Sequence, residues 1–128
     1  MFHVQHRSSR RALLGGALLA IGAVLALGGC AQGKPDVVPS DEDVKAVVTV
    51  RVTDNVYEPA EVQITPDQAV RWEFLGPAEH DVVAADGSFV SELVTEGTYT
   101  HRFTEEGDYE YDCSIHPEMR GVVHVVAP

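Results

Sequence analysis

From Val44 to the C-terminus the apolar residues recur at every second position in short runs broken by Gly, Pro and Asp, and no stretch carries a helical period. Val48, Val50 and Val52 alternate with Thr49, Arg51 and Thr53. Val62 and Ile64 lead into a turn at Pro66-Asp67, and Val70, Trp72 and Phe74 alternate with Arg71 and Glu73. A strand through Val82–Ala84 ends at Asp86-Gly87, and Tyr99, His101 and Phe103 share a face opposite Thr100 and Arg102. Glu106-Gly107 turns into Tyr109, Tyr111 and Cys113 on a single face, and the last strand, Val122–Val126, is apolar except for His124. A period of two gives strands buried on one face, and such strands must cover one another. The pattern predicts an all-β sandwich of about seven strands over residues 44–128. There is no internal repeat.

The N-terminus has a different composition. Residues 1–29 hold Arg7, Arg10 and Arg11 and no acid, and an uncharged Gly/Ala-rich run extends from Ala12 to Gly29. A basic region followed by an apolar one is the layout of an export signal. The competing reading, an uncleaved transmembrane helix, is weakened by Gly15, Gly16, Gly22, Gly28 and Gly29. Leu27-Gly28-Gly29-Cys30 resembles the lipobox of bacterial lipoproteins, which implies a lipid on Cys30 as the mature first residue. Ser9-Arg10-Arg11-Ala12-Leu13-Leu14 resembles a twin-arginine signal, with Leu13 where Phe is commoner. Both routes lead out of the cytoplasm. Residues 30–43 mix Pro, Gly, Ser and acids and read as a flexible tether, which at full extension would span roughly 40 Å.

All twenty acids follow residue 29, against six Lys and Arg, a net charge of −14. Such a surface repels nucleic acid and anionic lipid and steers a basic partner toward itself. The only membrane attachment expected is the anchor at Cys30. With Cys30 lipidated, Cys113 is left as a lone thiol outside the reducing cytoplasm, where it oxidises unless something such as a metal occupies it.

Cys113-Ser114-Ile115-His116-Pro117-Glu118-Met119 supplies a thiolate, an imidazole and a thioether within seven residues, between the last two strands. Thiolate and imidazole suit copper, and a distant thioether suits Cu(I). His80, read as standing at the start of a strand after Leu75-Gly76-Pro77-Ala78-Glu79, is the candidate third strong ligand. His80, Cys113 and His116 would make a His2Cys plane with Met119 as the long axial ligand. Three other readings stand beside this one. Cys113 and His116 can be a core thiol and a loop histidine. A zinc site is possible, although Met is a poor fourth ligand for structural zinc. A Cys–His nucleophile is also possible, although Glu110, Asp112 and Glu118 make its setting electronegative. His101 and His124 read as packed strand residues.

From Val44 to Val126 the chain resembles the cupredoxins, the small type 1 blue copper proteins that include plastocyanin, pseudoazurin and amicyanin. The resemblance is carried by Tyr57-Glu58-Pro59 before Val62-Gln63-Ile64, by Val70-Arg71-Trp72, by Glu79-His80-Asp81-Val82, by Gly97-Thr98-Tyr99-Thr100 and by Gly107-Asp108-Tyr109-Glu110-Tyr111-Asp112-Cys113. The spacing through His116-Pro117-Glu118-Met119-Arg120-Gly121 is most similar to the amicyanins. The resemblance implies a Greek-key sandwich and one type 1 copper ion at His80, Cys113, His116 and Met119. It also implies a monomeric electron carrier rather than an enzyme, with His116 reaching the surface.

Leu75, Gly76, Pro77 and Pro117 are expected either to rim a docking surface for a basic redox partner or to be turn residues. The alternative function is a module that buffers copper or delivers it to an extracytoplasmic oxidase. One position departs from the family pattern. Asp81 stands where Asn is common; it can accept from the Ser114 N–H or hydroxyl, and its charge is expected to favour Cu(II) and lower the potential.

Overall fold

The computed structural model describes residues 33–128. The export signal and Cys30 lie outside the described residues. Eight strands follow in order: β1 (Val48–Thr53), β2 (Val56–Glu58), β3 (Glu61–Ile64), β4 (Ala69–His80), β5 (Val83–Ala84), β6 (Val94–Arg102), β7 (Gly107–Cys113) and β8 (His116–Val125). They form two four-stranded sheets, ordered β2-β1-β4-β6 and β3-β8-β7-β5. β1 runs parallel to β4 and β3 parallel to β8, while the other pairs are antiparallel. The all-β sandwich expected from the alternation is therefore present, with one strand more than counted. The addition is β2, whose three residues are too few to display a period.

The alternating residues meet between the sheets. Val50, Val52, Val70, Trp72 and Phe74 from one sheet are buried with Val62, Ile64, Tyr111, Val123 and Val125 from the other. Trp72 is at the centre, its ring stacked on Phe89 at 5.4 Å between centroids and edge-on to Tyr111 at 5.4 Å. Such aromatic pairs add to the burial term and fix the spacing of the sheets.

Three local readings change. His80 ends a strand instead of starting one: β4 continues past Phe74, shifts register against β6 between Leu75 and His80, and delivers His80 to the end of the sheet. Gly76 makes that irregularity possible with φ 57°, a left-handed conformation in which a side chain would crowd the Thr95 carbonyl. The last strand begins at His116 and not at Val122, because the β7–β8 hairpin closes directly around Ser114-Ile115.

The stretch read as a flexible tether is instead bound to the domain where it is described. The Val38 N–H donates to the Val90 carbonyl at 2.9 Å and the Asp41 N–H to the Thr100 carbonyl at 2.8 Å. The Thr100 N–H returns to Ser40 Oγ at 2.9 Å, and the Arg102 N–H to Asp41 Oδ2 at 2.8 Å. Composition suggested a free linker, but polar residues here satisfy the edge of β6, which otherwise exposes unpaired backbone groups.

Candidate metal centre

One end of the sandwich collects the chemistry. Cys113 and His116 are opposite one another across the β7–β8 hairpin, separated by Ser114 and Ile115. Directly opposed residues of an antiparallel pair bring their side chains together. His80 arrives from the other sheet at the end of β4. The result is a cluster in which the donor atoms of His80, Cys113 and His116 all lie within 4.8 Å of one another. The Cys113 Sγ is 3.9 Å from His80 Nδ1 and 3.7 Å from His116 Nδ1. Those separations match a plane of nitrogen and sulfur ligands held about 2.0–2.3 Å from one first-row metal ion.

Burial grades across the cluster. Cys113 and His80 are buried, while His116 is half-buried and so reaches toward solvent. Burial pushes the Cys113 thiol up, against the opposing pull of backbone N–H groups around it, and a cation in the cluster would further favour the thiolate. Met119, three residues beyond His116 in β8, is buried in the same apolar cluster as Cys113. Two imidazoles, one thiol and a buried thioether are a donor set matched to copper.

Asp81, expected from the sequence, and two groups that the sequence did not single out, Asp54 and Lys34, help hold these ligands. Asp54, in the β1–β2 turn, places Oδ1 3.2 Å from His80 Nε2 and accepts the Ala78 N–H at 3.2 Å. Asp81 is completely buried beside His80 and spans to the Cys113 loop. Its Oδ1 accepts the Ser114 N–H at 2.7 Å and its Oδ2 the Ser114 hydroxyl at 2.6 Å, so the expected tie between loops is made. The Tyr57 hydroxyl donates to the Asp81 carbonyl at 2.6 Å. Lys34 adds an ammonium 2.7 Å from Asp81 Oδ2. Burial alone would raise the Asp81 carboxyl, but the hydrogen bonds from Lys34 and Ser114 outweigh it and hold the carboxyl below the usual range. The signal for Asp54 and Lys34 in sequence is weak, since a turn aspartate and a linker lysine are ordinary surface residues.

Among the described residues, His101 and His124 are apart from the cluster. His101 packs on Phe89 and Phe103 at centroid distances of 5.1 and 4.8 Å. His124 Nδ1 is 2.7 Å from Asp108 Oδ1 on the neighbouring strand. Leu75, Pro77 and Pro117 are exposed near the cluster in sequence, with Gly76 half-buried, and Ile115 at the hairpin tip is also exposed.

Fold and donor set together define a small single-copper β-sandwich protein. The family model of the cupredoxin-like domain matches residues 17–125, and the chain belongs to that family. Amicyanin from Paracoccus versutus is 32% identical over 134 residues, covering 95% of this chain and 98% of that protein. Its crystal structure gives a TM-score of 0.58 over 74% of this chain and 100% of that chain, at 32% identity. A purple cupredoxin from Nitrosopumilus maritimus gives a TM-score of 0.57 at 26% identity, over 62% of this chain and 99% of that one. A copper-containing nitrite reductase from Thermus scotoductus gives 0.55 at 30% identity, over 63% of this chain but only 22% of the reductase. This chain is accordingly a blue copper electron-transfer protein with one type 1 copper ion as its cofactor.

Proposed function

We propose that this chain shuttles single electrons between proteins outside the cytoplasm, without catalysing a reaction of its own. His80, Cys113, His116 and Met119 would hold the copper. The observation that carries this reading is the convergence of both imidazole Nδ1 atoms on one buried thiol, at 3.9 and 3.7 Å. Bound copper supplies the one-electron couple. The protein's part is to keep the donor atoms in place: His80 is fixed by Asp54, and the Cys113 hairpin is fixed by Asp81. Ligands held by both sheets resist the change of geometry that accompanies a change of oxidation state. Half-buried His116 is the edge through which an electron enters or leaves.

The partner is a basic protein. Twenty acids against six Lys and Arg after residue 29 steer a cationic surface toward this one, with an association rate that falls as salt rises. Exposed Leu75, Pro77, Ile115 and Pro117 form the apolar rim of the docking surface, and the carrier works as a monomer. A lipid on Cys30 anchors it.

Cyclic voltammetry with a Cu(I)-specific chelator in solution tests carriage against delivery. A reversible one-electron wave with copper retained through repeated cycles is expected. Loss of copper to the chelator on reduction would contradict carriage and favour the buffering or delivery role.

A further inference from the structure

Lys34 belongs to none of the motifs above, yet its ammonium makes the shortest contact any basic side chain makes with a buried carboxylate among the described residues. Nζ lies 2.7 Å from Asp81 Oδ2, and the Asp81 side chain has no exposure. The same ammonium donates to the Ser91 carbonyl at 2.7 Å. The Ser91 hydroxyl in turn accepts the Val82 N–H at 2.9 Å, next to Asp81 in the chain. The ammonium therefore joins the N-terminal stretch to the connection from β4 to β5 at Asp81 and to the connection from β5 to β6 at Ser91, and Asp81 carries the contact on to the hairpin of Cys113 and His116. The N-terminal stretch is held in register there by the Val38 to Val90 hydrogen bond.

A carboxylate buried without a counter-charge is costly, and the cost is greatest when one partner of an existing pair is removed. The remaining acceptor capacity of Asp81 is used by Ser114 alone, through its N–H and its hydroxyl. Ser114 directly follows Cys113. Whatever fixes Asp81 fixes the hairpin, and whatever offsets its charge changes the field at the cluster.

We propose that Lys34 is a positioning residue of the metal centre: its ammonium closes a clasp through Asp81 onto Ser114 and offsets the carboxylate charge beside His80. The part of this concerning the potential rests on the copper reading; the clasp itself belongs to the protein without metal. Asp81 favours Cu(II), and Lys34, paired with Oδ2 of the same carboxylate, opposes it. The aspartate is thus accommodated by a paired cation supplied from the N-terminal segment.

The test is a double-mutant cycle in the full chain, with Lys34→Met, Lys34→Arg, Asp81→Asn and the Met/Asn double variant. In the metal-free protein, Lys34→Met is expected to speed hydrogen exchange of the Ser114 amide by about tenfold, with Lys34→Arg close to wild type. In the Asp81→Asn background the same Lys34→Met change is expected to matter less than about twofold. In the copper-loaded protein, Lys34→Met lowers the midpoint potential, Asp81→Asn raises it, and the double variant returns toward wild type. Equal effects of Lys34→Met in both backgrounds would overturn the clasp, as would wild-type exchange and wild-type potential in Lys34→Met. If the wild-type protein gives no type 1 colour, the copper reading fails, and the amide exchange still decides the clasp.

Discussion

The Asp54 carboxylate lies 3.2 Å from Nε2 of His80, on the side of the ring away from Cys113. It fixes which nitrogen carries the proton: Nε2–H donates to Asp54, and Nδ1 is left free to face the thiol. Asp54 itself is held by the Ala78 N–H on the same oxygen. The carboxylate is 46% exposed, which places its effect toward the lower end for such a group. Asp54→Ala is expected to weaken copper affinity about tenfold, measured by competition with a chelator, while Asp54→Asn retains part of it. Unchanged affinity in Asp54→Ala would show that the ring is oriented by packing alone.

Gly121 and Tyr111 are opposed across β7 and β8. The Tyr111 ring packs against Gly121, and a Cβ on residue 121 would overlap the hydroxyl end of that ring. Tyr111 cannot move easily, since its ring is wedged edge-on between Tyr57 at 4.8 Å and Trp72 at 5.4 Å. Gly121→Ala is expected to destabilise the domain by about 1–3 kcal/mol in urea unfolding. A pairing of Gly121→Ala with Tyr111→Leu should recover part of that loss. Full stability in the single variant would mean the ring is free to swing aside.

His101 gives the stability a pH dependence. Burial lowers its pKa from the ordinary 6.5, against the opposing pull of Asp41 and Asp86. A histidine held neutral in the fold binds its proton more readily when unfolded, so stability falls as pH drops through about 6.5 and levels off below the folded value. His101→Phe keeps the stacking on Phe89 and removes the titration. Unfolding of the metal-free protein followed between about pH 5 and pH 8 should therefore show a shallower decline in His101→Phe than in wild type. Parallel curves would place the pH dependence on other groups.

The sandwich was legible because alternation at Val48–Val52, Val70–Phe74 and Tyr109–Cys113 follows directly from burial of one strand face. The cluster was legible because a thiol, two imidazoles and a thioether in that spacing have few other uses. Strand ends were less so. The continuation of β4 to His80 runs through Gly76 and Pro77, residues that ordinarily end strands, and it depends on a register shift against β6 that no local pattern encodes. Lys34 and Asp54 were invisible for a related reason. Each acts through a partner distant in sequence, 47 residues away for Lys34 with Asp81 and 26 for Asp54 with His80, and neither carries a local signature. The same holds for the segment around Ser40 and Asp41, whose polar composition does not distinguish a free tether from one bound along an edge strand.

The most direct test is the visible absorption spectrum of the protein after addition of one equivalent of Cu(II), for wild type and Cys113→Ser. An intense thiolate-to-copper charge-transfer band in the wild type, absent from Cys113→Ser, is the predicted result. Weak copper bands in both proteins, with no contribution from Cys113, would show that the thiol and the two imidazoles do not act as one metal site.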